Sequence, residues 1–157
     1  MKLMKILGYV WVSPLTLIGL LHVCVLSSLG YYKWLGIKGD ALVWIVTFAG
    51  KSKHMPSFLT KAWERRVGHT IGQVVVLKHP PSGIWGETIM KHEQAHVNQN
   101  MRLGILQPFF YATVLVCMTI ACKNSSSRYD NPFEIDARRA AGQIIDVVSV
   151  IKKLRSK

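Results

Sequence analysis

Acidic residues are scarce in this 157-residue chain, which has 8 Asp and Glu against 20 Lys and Arg and a formal net charge of +12. Cysteine is also scarce, because Cys24, Cys117 and Cys122 are odd in number and have no CxxC spacing. That pattern excludes a disulfide framework of the small secreted kind. All three lie in or beside apolar runs and are expected to act as small hydrophobic residues. No internal repeat and no nucleic-acid-binding motif is visible.

Hydrophobic residues make up 50% of the chain and charged residues 18%, which predicts one compact domain with a packed core. The positive charge suits an anionic lipid surface or a nucleic-acid backbone. Basic residues are spread along the chain beside apolar runs, and the short basic cluster is the tail at 152–157. Lipid is therefore the expected partner, and nucleic acid is not.

Residues 6–29 form an almost wholly apolar run whose length fits a membrane span. It is long for the apolar part of a signal peptide, and residues 27–30 make a poor cleavage site. We therefore expect a retained anchor helix at 1–30, followed by the compact domain at 31–157. Positive charge flanks both ends of the run, so the sequence does not set the side of the membrane.

The remaining segments alternate between strand-like and helix-like patterns. Two short runs rich in β-forming residues predict strands, and two amphipathic stretches predict helices. The predicted strands are 41–49 and 70–78; the predicted helices are 86–101, closed by Gly104, and 131 to about 154. Between them lie a basic, partly helical stretch at 50–66, a loop at 79–83, an apolar run at 105–121 and a polar loop at 123–130.

Residues 92–96 read His-Glu-Gln-Ala-His, which on a helix directs both imidazoles to one point. Two neutral imidazoles suit Zn²⁺. Glu93 lies about 100° around the helix, beside the metal, where it can take a proton from a water that the metal has made more acidic. The alternative is two ordinary histidines on a helix.

A hydrolytic zinc site needs a third protein ligand, and Glu134 is the leading candidate. The same stretch also has a purely structural interpretation, because Asn131 suits an N-cap, Pro132 the first helical position and Glu134 a capping box. Asp136 is the second candidate, or else a carboxylate that orients a ligand histidine. His79 and His69 are the remaining candidates.

His92-Glu93-xx-His96 followed by a helix with Glu134 and Ala137 resembles the gluzincin zinc metallopeptidases. Arg138 stands where that family often has a supporting carboxylate. With Gln99, the first motif reads HExxHxxQ and resembles small predicted membrane-associated peptidases.

The resemblance implies an α+β, minimal zincin-like domain. An active-site helix and a glutamate helix pack on a small sheet, here preceded by the N-terminal hydrophobic helix. It also implies an edge strand that aligns the substrate, for which the strand ending at Leu77 is the candidate. His79, Tyr111 and Tyr129 are candidate donors to the reacting carbonyl.

The apolar run 105–121 lies between the two ligand segments. If it crossed the bilayer once, His92 and Glu134 would face opposite compartments. A single site in water therefore argues against a simple span. Three arrangements remain: a buried core helix, a helix lying in the interface or a short re-entrant hairpin, of which the first two are favoured.

Together these patterns predict a membrane-anchored zinc metallopeptidase that hydrolyses peptide bonds of a peptide or protein substrate, with Glu93 as general base. The alternatives are a non-enzymatic basic membrane protein whose metal site is structural or absent, and a membrane-disrupting or accessory protein with incidental histidines.

Overall fold

The structure, a computed structural model, describes residues 2–47, 57–64, 66–121 and 131–143. It is an α+β fold with an N-terminal apolar helix, as the sequence predicts. The helices are α1 (Lys2–Ser28), α2 (Ser57–Glu64), α3 (Gly83–Leu103), α4 (Gln107–Ala121) and α5 (Pro132–Ala140), with a 3₁₀ turn at Gly104–Leu106. The strands are β1 (Tyr32–Lys38), β2 (Ala41–Val46), β3 (Gly68–Ile71) and β4 (Val74–Leu77).

The four strands form one mixed sheet in the order β1-β2-β4-β3. Antiparallel hairpins β1–β2 and β3–β4 flank a parallel β2–β4 pair. Every residue of β4 is buried, as expected for a parallel strand covered on both faces. The prediction that the strand ending at Leu77 lies at an edge is therefore wrong, and β3 is the edge strand on that side.

The predicted strand 70–78 is in fact a hairpin, because Gly72 turns the chain with a φ of +61°. Glycine adopts this left-handed conformation without steric cost. Strand β1 was not predicted at all. Lys33, Gly36 and Lys38 interrupt its apolar pattern, and its register shifts between Trp34 and Gly36.

The sheet is packed on both faces, which gives the domain two layers of core. On one face the C-terminal half of α1 and helix α2 cover a cluster made of Val23, Leu26, Tyr32, Val46, Trp63, Val74 and Val76. On the other face α3 covers a cluster made of Ala41, Val43, Val75, Leu77, Met90 and Val97. Helix α3 is thus held directly against the sheet.

Helix α1 crosses the β3–β4 turn at close range. A methyl group at Gly19 would lie 2.6 Å from the carbonyl oxygen of Ile71, and one at Gly72 would overlap the backbone of Thr16. The Thr16 hydroxyl accepts a hydrogen bond from the backbone N–H of Gln73 at 3.2 Å. On the other side, Asn100 Nδ2 donates to the Gly72 carbonyl at 2.8 Å. The turn is therefore clamped between α1 and α3.

Two helical segments meet the length and composition of membrane spans. One is α1, and the other is the continuous segment in which the 3₁₀ turn joins α3 to α4. Only 6% of the most apolar window of the α3–α4 segment is buried, against 33% for α1. The predicted buried core helix at 105–121 is therefore wrong for the part of the chain described.

Helix α5 begins as the sequence predicts. The side chain of Asn131 accepts a hydrogen bond from the backbone N–H of Phe133 at 3.0 Å, and Pro132 occupies the first turn. The helix ends at Ala140 and is followed by Gly142 with a φ of +70°, so one uninterrupted helix from 131 to 154 is wrong. The predictions for 144–154 and for the loop 123–130 lie outside the described residues.

Candidate metal centre

Helix α3 brings the two histidines of the HExxH motif together. His92 Nε2 and His96 Nε2 are 3.2 Å apart, and the ring centroids are separated by 4.8 Å. The helical spacing of four residues accounts for this convergence. Both side chains are largely but not fully buried, with 17% and 13% of their surfaces exposed.

Helix α5 brings Glu134 to the same point. Its Oε2 atom is 3.4 Å from His92 Nε2, and its Oε1 atom is 3.6 Å from His96 Nε2. The three groups form a set in which all ligand atoms lie within 4.8 Å of one another. Ligands of a tetrahedral zinc site, at bond lengths of roughly 2.0–2.1 Å, are separated by about 3.3 Å. The 3.2 Å between the two imidazole nitrogens is close to that edge, and each nitrogen has a Glu134 carboxylate oxygen at 3.4 or 3.6 Å, so the three residues can hold a cation.

Gln99 orients His96 through its second ring nitrogen. Gln99 Oε1 lies 2.9 Å from His96 Nδ1, and Gln99 Nε2 donates to Asp136 Oδ2 at 3.1 Å and to the Phe133 carbonyl at 3.0 Å. Since the amide nitrogen is engaged by these acceptors, its oxygen faces the ring and accepts from Nδ1–H. The Nε2 lone pair of His96 is then directed at the metal position.

Asp136 does not belong to the candidate ligand set. It accepts a hydrogen bond from Gln99, which contacts His96, and so it supports that histidine indirectly. The other imidazole differs, because His92 Nδ1 is buried without a hydrogen-bond partner among the described residues. The His92 ring is held by packing and by the contacts of its Nε2 atom.

Glu134 is held as an ionised acceptor. Tyr111 Oη donates to its Oε1 atom at 3.0 Å. Burial alone would raise the pKa of Glu134, but the hydrogen bond from His92, the charges of His96 and His92, and the Tyr111 hydroxyl together lower it to about 2. An ionised carboxylate is the form that binds a divalent cation.

Glu93 is buried beside the histidines, with 4% of its surface exposed. Thr70 Oγ1 on edge strand β3 donates to its Oε2 atom at 2.7 Å. A methyl group at Gly68 would lie 2.6 Å from Glu93 Oε1, so the glycine makes the space that the carboxylate occupies. Burial raises the pKa of Glu93, partly countered by the charge of His96, the Thr70 hydrogen bond and the charge of His92.

The surroundings of the two carboxyl groups therefore shift their pKa values in opposite directions. The pKa of Glu134 is lowered, and the pKa of Glu93 is raised. Opposite shifts of neighbouring carboxyl groups are typical of sites where one acts as a charged ligand and the other exchanges a proton.

These groups lie in a cleft of about 830 Å³. Edge strand β3 lines one wall, and its outer edge is not paired with another strand in the described sheet. Leu15 of α1 and Tyr111 and Leu115 of α4 line it as well. Arg138 also lines the cleft.

The other predicted ligand candidates lie outside the set of three, although His69, as part of edge strand β3, lines the cleft. His69 is on the sheet face opposite to Glu93, in ring contact with His22 of α1 and Trp63 of α2. Burial, followed by the charges of His22 and Arg66, lowers the pKa of His69 to about 4. His79 is exposed and does not line the cleft. Tyr129 lies outside the described residues.

Sequence reasoning missed the roles of Gly68, Thr70 and Gln99. The role of Gln99 could have been inferred from its position one helical turn after His96. The roles of Gly68 and Thr70 could not, because they depend on which strand lies beside α3. Comparisons with protein-family models, with curated proteins and with solved structures found no match to this chain.

Proposed function

We propose that this protein is a membrane-associated zinc metallopeptidase in which His92, His96 and Glu134 hold Zn²⁺ and Glu93 is the general base. The observation that carries the proposal is the convergence of three groups beside a buried carboxyl group. The two Nε2 atoms of His92 and His96 are 3.2 Å apart, and the Glu134 carboxylate places Oε2 at 3.4 Å from the first and Oε1 at 3.6 Å from the second. A structural site would use four protein ligands. Among the described residues the set has three, which leaves one position for a reactant.

Bound zinc would acidify a water molecule and polarise the substrate carbonyl. Glu93 accepts the proton of the attacking water and passes it to the leaving amine nitrogen. Thr70 holds one carboxylate oxygen of Glu93 and leaves the other directed away from that hydrogen bond. A raised pKa suits both halves of this task, since the group must gain the proton and release it near neutral pH.

Two further groups of the cleft support peptide hydrolysis. The unpaired edge of β3 can hydrogen-bond an extended peptide, as sheet edges commonly do. Tyr111, a predicted donor that lines the cleft, can turn from Glu134 to the carbonyl oxygen of the substrate.

Membrane association is supported by the apolar surface of two helices. Helix α1 exposes Leu3, Leu7, Val10, Leu17 and Leu21, among others, and α4 exposes Phe109, Phe110, Val116 and Ile120. Exposed apolar area of this extent is typical of a lipid or partner contact. The net charge of +12 adds attraction to an anionic leaflet.

The test is metal content and peptide hydrolysis of the purified protein and three variants. The wild type should hold zinc in stoichiometric amount and cut peptides. His96→Ala should lose both, and Glu93→Gln should keep the metal and lose turnover. His79→Ala, an exposed histidine away from the cleft, is the matched control and should change neither. A metal-free wild type, or hydrolysis that survives Glu93→Gln, would refute the proposal.

A further inference from the structure

We infer that the substrate is a membrane-inserted polypeptide segment that reaches the metal centre from the lipid side, between α1 and α4. This inference rests on the proposed function and adds the class of substrate. It follows from the position of the cleft relative to the exposed apolar helices.

The N-terminal half of α1 and the start of α4 form one continuous apolar surface. A methyl group at Gly8 would lie 3.2 Å from the carbonyl oxygen of Met101, and the Trp11 ring covers Gly104. These contacts place the first turns of α1 beside the junction between α3 and α4. The exposed apolar side chains of this lipid-facing surface are Leu3, Met4, Leu7, Val10, Trp11, Ile105, Leu106, Phe109 and Phe110.

The same two helices also form part of the wall of the cleft. Leu15 lies one turn beyond Trp11 on α1, and Tyr111 and Leu115 lie one and two turns beyond the start of α4; all three line the cleft. The metal ligands are therefore reached past side chains that belong to the helices of the lipid-facing surface. A substrate already in the lipid would meet apolar walls on its way to His92 and His96.

Neither helix crosses the bilayer as a simple span in this arrangement. The 15 residues of α4 are about 22 Å long, short of a hydrocarbon core of about 30 Å. The C-terminal half of α1 is packed on the sheet through Val23 and Leu26. The lipid-facing surface can therefore enter one leaflet while the sheet stays in water, which keeps all three ligands on one side.

Charge beside the surface agrees with lipid as its occupant. Arg102 at the end of α3 is exposed at its border; Lys5 on α1 is exposed there as well, and its Nζ atom is paired with Asp40 Oδ1 at 2.8 Å. Basic side chains bordering an inserted apolar face bind anionic headgroups. A polypeptide is favoured over a phospholipid as the reactant because β3 presents an unpaired strand edge along the cleft, which recognises a peptide backbone and not an acyl chain.

The test uses one peptide library in two forms. Peptides with ten randomised positions are supplied free in buffer, or joined to a 20-residue Leu/Ala transmembrane segment in vesicles of phosphatidylcholine and phosphatidylglycerol. Cuts that disappear in Glu93→Gln are counted by mass spectrometry. The full-length protein should cut the vesicle form at least tenfold faster than the free form.

The variant Phe109→Ser/Phe110→Ser removes apolar side chains from the lipid-facing surface and should abolish that preference without slowing cleavage of free peptides. Ile84→Ser/Trp85→Ser is the matched control, since Trp85 is 79% exposed but lies at the opposite end of α3, and should keep the preference. If only the vesicle form of the peptides is cut, the preference is confirmed. The variants are then compared by their rates of cleavage of the vesicle form.

Each remaining outcome contradicts one claim. Equal cleavage of both forms, or a preference that survives Phe109→Ser/Phe110→Ser, overturns the inference and leaves the peptidase proposal intact. Fatty acid released from the vesicles without peptide cleavage overturns it in favour of a lipid substrate. No Glu93-dependent cleavage of either form refutes the proposed function itself.

Discussion

Gly68 and Glu93 share a space that only one side chain can fill, since a methyl group on Gly68 would lie 2.6 Å from Glu93 Oε1. Edge strand β3 therefore sets the position of the carboxylate. Gly68→Ala should displace Glu93 and lower kcat by roughly 100-fold, the cost typical of a misplacement of about 1 Å.

The measurement for Gly68→Ala pairs peptide hydrolysis with zinc content. Zinc should stay stoichiometric, because the three atoms nearest to a methyl group on Gly68 all belong to Glu93. Wild-type turnover in Gly68→Ala would show that the carboxylate position is not critical, and loss of zinc would show that the change disturbs the whole centre.

Gln99→Ala should weaken zinc binding, because the mutation removes the acceptor of His96 Nδ1–H and the link to Asp136. Loss of such an outer hydrogen bond typically costs about 10- to 100-fold in metal affinity. The zinc dissociation constant, measured by competition with a chromophoric chelator, checks this. Asn98→Ala, the exposed neighbour on α3, should bind zinc like the wild type; equal affinities in both variants would remove Gln99 from the site.

Tyr111→Phe separates support of the ligand from action on the substrate. If Tyr111 stabilises the developing oxyanion, kcat at saturating zinc should fall by about 100-fold, with little change in KM. If its role ends at the 3.0 Å hydrogen bond to Glu134, kcat at saturating zinc should match the wild type and only zinc affinity should fall. We expect the first result from steady-state kinetics at several zinc concentrations.

The buried His69 should make the fold sensitive to acid. Its pKa is lowered to about 4 in the folded protein, so the unfolded chain, with an ordinary histidine pKa near 6.5, binds a proton more readily. The stability it contributes is complete above pH 6.5 and is lost as the pH falls toward 4, by up to about 3 kcal/mol.

His69→Phe retains an aromatic ring against Trp63 and removes the titration. Thermal unfolding between pH 7 and pH 4, with zinc chelated in both proteins, should show a smaller loss of stability in this variant. Parallel curves for wild type and variant would mean that His69 does not govern the acid response.

The sequence predicted the grouping of His92, His96 and Glu134 better than the sheet around it. The convergence of His92 and His96 follows from local helical spacing. The position of Glu134 follows from the helix start signal at Asn131 and Pro132, so both ligand segments can be predicted from local sequence. Their approach across 38 residues rested on the family resemblance and on the need for a third ligand, since no local rule fixes how α5 docks on α3.

The errors have a common cause, because strand boundaries depend on partners that are distant in the chain. Gly72 within an apolar run is a recognisable turn signal. Whether β3 or β4 lies at the edge depends on the pairing of β4 with β2, which no local sequence signal predicts. The role of Thr70 follows from that pairing, and so it could not be predicted from the sequence either.

The tight crossing of α1 over the Gly72 turn has a mechanical consequence. Because Gly19 and Thr16 meet the β3–β4 turn with no free space, the helix cannot slide or rotate without displacing β3. Strand β3 in turn carries the hydroxyl that holds Glu93. In the membrane-associated peptidase that we propose, the tilt and depth of α1 in the lipid would thereby be passed to Glu93, so turnover should respond to bilayer thickness and curvature as well as to substrate concentration.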